Sequence, residues 1–108
     1  MSAGPNTIDL EELTFKGNLA FAGRPFGEKT RREAGLDDKD LDDNQYVILI
    51  PVGTSTFTPS FFGGMFDDSI IALQAAGFRK KYKFRGEPFA RIINNGIADA
   101  LVQNAITG

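Results

Sequence analysis

Five consecutive apolar residues, Tyr46-Val47-Ile48-Leu49-Ile50, constrain this chain more than any other stretch. The run is too short for a stable helix and rich in β-branched side chains, so it reads as a buried strand. A loop of small and hydroxyl residues follows from Gly53 to Pro59, and the spacing then predicts an amphipathic helix from Ser60 to Ala76. In that helix Phe62, Met65, Phe66, Ile70 and Leu73 recur at intervals of three and four, the signature of a core-facing stripe. Pro59 suits the helix entry, where a missing N–H costs nothing, and Gly77 suits its end. Gly63-Gly64 weakens the first turn by about 1 kcal/mol per glycine relative to Ala, while leaving room for another backbone or a partner to approach. Strand, polar loop and helix start together place backbone N–H groups and hydroxyls at one edge of a sheet.

The flanking segments extend this unit. Met1 to Asn6 is small and polar and reads as a flexible lead-in, leaving residues 7–108 as a single domain. Thr7 to Leu13 reads as a strand or a short turn of helix, Phe15 to Phe21 alternates loosely, and with the Gly17-Asn18 turn signal the simplest reading is a hairpin of two short strands. Glu28 to Leu36 has helix-forming composition and few apolar residues, as for a surface helix anchored by Arg24, Arg31 and Arg32. Phe78 to Arg85 reads as an edge strand, with Tyr82 and Phe84 inward and Lys81, Lys83 and Arg85 outward. Glu87-Pro88 opens a final helix whose stripe runs through Phe89, Ile92, Ile93, Ile97, Ala100, Leu101 and Ala105. The expected order is β-β-α-β-α-β-α, an α/β domain with a small mixed sheet packed against helices.

Several chemistries are limited by what the chain lacks. It has no Cys and no His, so neither a disulfide framework, a thiolate nucleophile, a Ser-His pair nor a Cys/His zinc site is available. The acidic run Asp37 to Asn44 has no internal Gly and no closing Glu, both of which an EF-hand loop needs, and it reads as a solvated loop rather than a metal site. Nothing resembles a signal peptide, and no apolar run approaches the ~20 residues that span a bilayer, so the expectation is a cytoplasmic protein without membrane contact. Ten Phe and no Trp assign core filling mostly to phenylalanine.

Three sites deserve weighing. The loop PVGTSTFTPS lacks the Lys-Ser/Thr pair of a nucleotide P-loop, and Ser60 reads at its simplest as a helix N-cap. The basic run Arg79 to Arg85 interleaves cations with Tyr82 and Phe84 and offers an alternative function, nucleic-acid binding through Lys81, Lys83 and Arg85. A net charge of −2 and aromatics that alternate inward argue against it. Carboxylates such as Asp67 and Asp68 are not paired by any pattern that implies acid–base catalysis, and the chain reads as non-enzymatic with no cofactor.

Three stretches taken together, FAGRPFGEKTRRE, YVILIPV with FTPSFFGGMF, and KYKFRG with EPFARIINNGIADAL, resemble the STAS-like domain family of unknown function, related to the anti-sigma-factor-antagonist (STAS) fold. The resemblance covers roughly Phe15 to Ile106 and implies a STAS-like fold acting as a protein-interaction or regulatory module. In STAS antagonists a Ser or Thr at the start of this helix is phosphorylated by a partner kinase, which places Ser60, with Thr58 just before it, as the implied phospho-acceptor. Pro59 and Phe61-Phe62 depart from the usual acidic and hydroxyl pattern there. The implied partner is an ATPase-type kinase or a sensor protein. It would meet Thr58, Ser60, Gly63 and Gly64, with Arg24 and Gly27 as a possible second part of the face.

Overall fold

A computed structural model of the chain describes residues 6–107, with side chains through residue 105. In chain order it runs β1 (Thr7–Asp9), α1 (Leu10–Leu13), β2 (Ala20–Phe21), α2 (Arg24–Ala34) and α3 (Leu36–Lys39), then β3 (Tyr46–Ile50), β4 (Thr56–Phe57), α4 (Pro59–Lys81), β5 (Tyr82–Gly86) and α5 (Ala90–Thr107). The apolar run is the middle strand of a three-stranded parallel sheet ordered β1-β3-β5, and β2 pairs with β4 in a separate parallel ribbon. The chain is therefore α/β, but its element order is not β-β-α-β-α-β-α and its described strand pairs are parallel rather than mixed. Most of the predicted lead-in lies outside the described residues. Asn6, its last member, already joins the ladder by accepting a hydrogen bond from the N–H of Val47.

The predicted hairpin does not form. Asp9 ends β1 and its carboxylate accepts from the N–H of Glu11 at 2.9 Å, while Glu11 and Glu12 fill the first turn of α1. An aspartate cap followed by two acids favours a helical turn, because the first-turn N–H groups are unsatisfied and carry partial positive charge. Gly17 does turn the chain, with φ 83°, but the strand beyond it is directed to β4 rather than back to β1.

Helix boundaries also shift. α2 begins at Arg24, before the predicted Glu28, with Pro25 in its first turn, and ends at Gly35 in the left-handed conformation. α4 continues past Gly77 to Lys81, so Phe78 to Lys81 is helix and the last strand starts only at Tyr82. Its break comes at Gln74, whose backbone (φ 63°, ψ 172°) lies in a region that is nearly glycine-only.

One layer of helices covers one face of the sheet. Successive right-handed crossovers that step in the same direction across a sheet put their helices on the same side. Ile8, Ile48, Ile50 and Tyr82 face that layer, joined by buried Phe61, Phe62, Met65, Phe66 and Ile70 of α4 and by Ile93, Ile97 and Ala100 of α5. Of the ten phenylalanines only Phe15 stays outside this core. α4 is enclosed by α2, α5 and the sheet, which explains why both Phe61 and Phe62, on different faces, are fully buried. Ala105, counted in the predicted stripe of the last helix, is exposed.

Gln74→Gly is expected to raise stability by about 1 kcal/mol, as relief of an unfavourable backbone conformation exceeds the added chain entropy. A urea titration of both proteins measures this as a higher midpoint at unchanged slope.

Candidate functional site

The carboxyl ends of β1 and β3 lead into the loops that meet the starts of α2 and α4. The cap of α4 is Thr58, not Ser60: its Oγ1 accepts from the N–H of Phe61 at 3.1 Å. Pro59 occupies the first helical position, so the capping residue precedes it and Ser60 falls one step inside the helix. The same Thr58 Oγ1 accepts from the N–H of Gly23 at 3.1 Å, which fastens the start of α2 to the start of α4. Thr54 Oγ1 donates to the carbonyl of Pro51, and Ser55 Oγ donates to that of Leu19. These hydroxyls thus brace their own loops. Ser60 Oγ lies 3.1 Å from Thr58 Oγ1 and is exposed. Across the same end, Glu87 accepts from the N–H of Gly53 at 2.6 Å and joins the loop after β3 to the loop after β5.

The glycines named from the sequence come together as a packing joint. A Cβ on Gly27 would strike the carbonyl oxygen of Phe61, and one on Gly64 would strike that of Arg24. Close approach of another backbone was expected at Gly63-Gly64, and the chain's own α2 makes it. Gly63 lies beneath the Arg24 guanidinium, and Gly27, Gly63 and Gly64 are all buried, although Gly63 and Gly64 still line a surface cavity with Arg24, Arg32 and Asp68. Arg24 is half exposed and pairs with Asp67 at 3.0 Å and Glu28 at 3.5 Å. Gly27→Ala is expected to cost about 1–3 kcal/mol by prising α2 from α4, read as a lower melting temperature with the helix content retained.

Below this joint is a polar cluster that sequence reasoning passed over. Arg31 does not anchor a surface helix but is itself buried, donating to the carbonyl of Met65, Ser69 Oγ and Asp40, each at 2.8 Å, and to Asp37. Asp40 is buried as well, and also accepts from Ser69 Oγ at 2.8 Å and Tyr82 OH at 2.6 Å. Burial pulls the Arg31 pKa down, but hydrogen bonds and charge from Asp40 and Asp37 outweigh it and the net shift is upward. Burial, and then the bond to Asp40, push the Tyr82 hydroxyl far above the ordinary tyrosine range. The available signal was five Asp directly after a helix holding two adjacent arginines, one of which faces α4.

The acidic run is therefore only partly solvated. Asp42 accepts from Lys81 at 2.8 Å and from the Tyr46 hydroxyl, and Lys81 also donates to the carbonyls of Asp42 and Asn44. This buries Lys81 and removes it from the basic run, in which Arg79, Lys80, Lys83 and Arg85 stay exposed; Tyr82 is buried and Phe84 packs on the core. The two aromatics of the run are thus turned to the core rather than offered as stacking platforms for bases. Among the described residues no cluster of three or more His, Cys, Asp or Glu is placed to hold a metal ion, and no helix is long and apolar enough to cross a membrane.

Beside the exposed Arg24, Ser55 and Ser60, the carboxyl end also exposes apolar side chains. Val52, in the loop after β3, is 81% exposed, and Leu19, beside Ser55, is 42% exposed; Phe15, 61% exposed, lies along the flank of α2 near Lys29 and Glu33. Comparison with protein-family models, curated proteins and solved structures finds no match for this chain.

Two outcomes test the polar cluster. Asp40→Ala is expected to cost about 1–3 kcal/mol, since it takes a shared acceptor from buried Arg31, Ser69 and Tyr82 while Asp37 still pairs with the guanidinium, whereas replacing Arg31 by Met and Asp40 by Leu together costs less than the sum of the single changes; a denaturation double-mutant cycle measures it. For Asp42, hydrogen bonds from Lys81 first and Tyr46 second hold the carboxyl well below the usual aspartate range. A depressed carboxyl contributes stability above its unfolded pKa of about 4 and loses it as pH falls. Asp42→Asn should then lower the urea midpoint at neutral pH and flatten its decline on acidification.

Proposed function

We propose that this chain is a non-enzymatic protein-interaction module of STAS-like type that docks a protein partner through the loops at the carboxyl end of its sheet. The observation that carries this reading is the exposure of Leu19 and Val52 on loops braced by internal hydrogen bonds. Exposed apolar side chains on ordered loops gain by burial against a partner while little loop entropy is lost, which is how pre-organised interfaces reach useful affinity. The hydroxyls and carboxylates of this end are engaged in capping and bracing, an arrangement suited to a recognition surface rather than to acid–base chemistry.

Regulation by phosphorylation fits the same end. Ser60 is exposed in the first turn of α4, whereas Thr58 Oγ1 is committed to two backbone N–H groups. A phosphate on Ser60 would add a charge of about −1.5 to −2 at a helix start that tolerates anions, yet would oppose an apolar partner surface. On Thr58 it would break the cap. Ser60 is thus the acceptor, and an ATPase-type kinase or sensor protein the partner class.

The decisive experiment captures co-purifying proteins on the wild-type chain and on Val52→Asp, Ser60→Asp and Ser60→Ala. Val52→Asp and Ser60→Asp are expected to weaken retention of the same partner at least about tenfold, with Ser60→Ala and the melting temperatures unchanged. Equal retention by all four proteins overturns the proposal.

A further inference from the structure

The face of the three-stranded sheet turned away from the helices carries Thr7 and Asp9 of β1, Val47 and Leu49 of β3, and Lys83 and Arg85 of β5. Val47 and Leu49 are partly exposed and do not belong to the core cluster, unlike their neighbours Tyr46, Ile48 and Ile50. Parallel sheets are almost always covered on both faces. Here one described layer of helices covers one face, and the central strand presents Val and Leu on the other.

The register arranges this face in rows. Thr7, Val47 and Lys83 lie side by side in one row, and Asp9, Leu49 and Arg85 in the next. Charge is thereby sorted across the sheet, with an acid on the β1 edge, apolar residues in the middle and two cations on the β5 edge. Neither Lys83 nor Arg85 pairs with a carboxylate among the described residues. One oxygen of Asp9 caps α1, which leaves the other for a further partner.

We infer that this face docks a second copy of the same chain, sheet against sheet, about a two-fold axis running along β3. Rotation about that axis keeps each row at its height along the strands and reverses its order. Asp9 then opposes Arg85 of the second copy, Arg85 opposes Asp9, and Leu49 meets Leu49; in the adjoining row Val47 meets Val47. A two-fold axis perpendicular to the strands would instead set each edge against itself, cation on cation. Charge complementarity thus selects both the occupant and the orientation, and the contact is isologous and closed. A face three short strands wide is small for a stable interface, so the dimer is weak, and its two ion pairs make it sensitive to salt.

Sedimentation equilibrium of the full chain, from micromolar to millimolar concentration, tests this. At low salt a monomer–dimer equilibrium is expected, weakening at least about tenfold at high salt or on Arg85→Asp, which sets acid against acid twice. Asp9→Lys is expected to weaken it similarly by setting cation against cation. Mixed in equal amounts, these two variants restore both pairs and re-form a dimer that neither makes alone. Leu49→Lys, on the axis, disrupts the dimer without touching either edge, and circular dichroism verifies that each variant is folded. A wild-type chain that stays monomeric at millimolar concentration and low salt overturns the inference and leaves the face to a different protein. So does a dimer indifferent to Arg85→Asp and Leu49→Lys.

Discussion

The guanidinium of Arg31 is the point on which the packing of this fold depends. It is buried where α2, α3 and α4 converge, and through Asp40 it reaches the hydroxyl of Tyr82 on β5. A buried cation is tolerated only if its charge is matched and its donors are used. Asp40 supplies the charge, while Ser69 and the Met65 carbonyl take the remaining donors on one side. Any alternative packing of α2 on α4 would strand that charge, so the cluster contributes specificity for one arrangement more than net stability. The nearby contacts of Lys81 with Asp42 and Asn44 repeat the logic at the start of β3.

Glycine contacts act with this cluster to fix the helix starts at the carboxyl end of the sheet. Gly27 and Gly64 let α2 and α4 touch backbone to backbone, and Thr58 ties the two helix starts with a single side-chain oxygen. The loops that follow β1 and β3 are fixed in turn by Ser55 on the Leu19 carbonyl and by Glu87 on the Gly53 N–H. Rigid joints below and braced loops above leave the apolar side chains Leu19 and Val52 in the solvent. That combination and the one open sheet face are the features on which the proposed docking rests.

Legibility in the sequence varied with the range of the interaction. The strand Tyr46–Ile50 and the inward stripe Phe62, Met65, Phe66 and Ile70 follow from local periodicity, and the structure has both. The expected hairpin around Gly17 fails because Asp9 caps a helical turn, a local signal that competes with alternation and wins. The extension of α4 to Lys81 was hidden by Gly77 and by the unusual backbone at Gln74. Among the candidate site residues, Gly27, Gly63 and Gly64 are drawn into the helix joint and Lys81 into an ion pair, since burial against other elements cannot be read from spacing.

The sequence by itself determined the α/β class, the central strand, the main helical core face and the absence of thiol and imidazole chemistry, because periodicity and composition act over a few residues. Tertiary structure alone decided that the described strand pairs are parallel, that the helices share one face, and that Arg31, Asp40 and Tyr82 meet in the interior. Those outcomes depend on contacts between residues far apart in the chain, such as the Arg31–Ser69 and Asp40–Tyr82 pairs. The energy of such pairs comes from satisfying buried charge after distant segments have packed, and no local pattern encodes it.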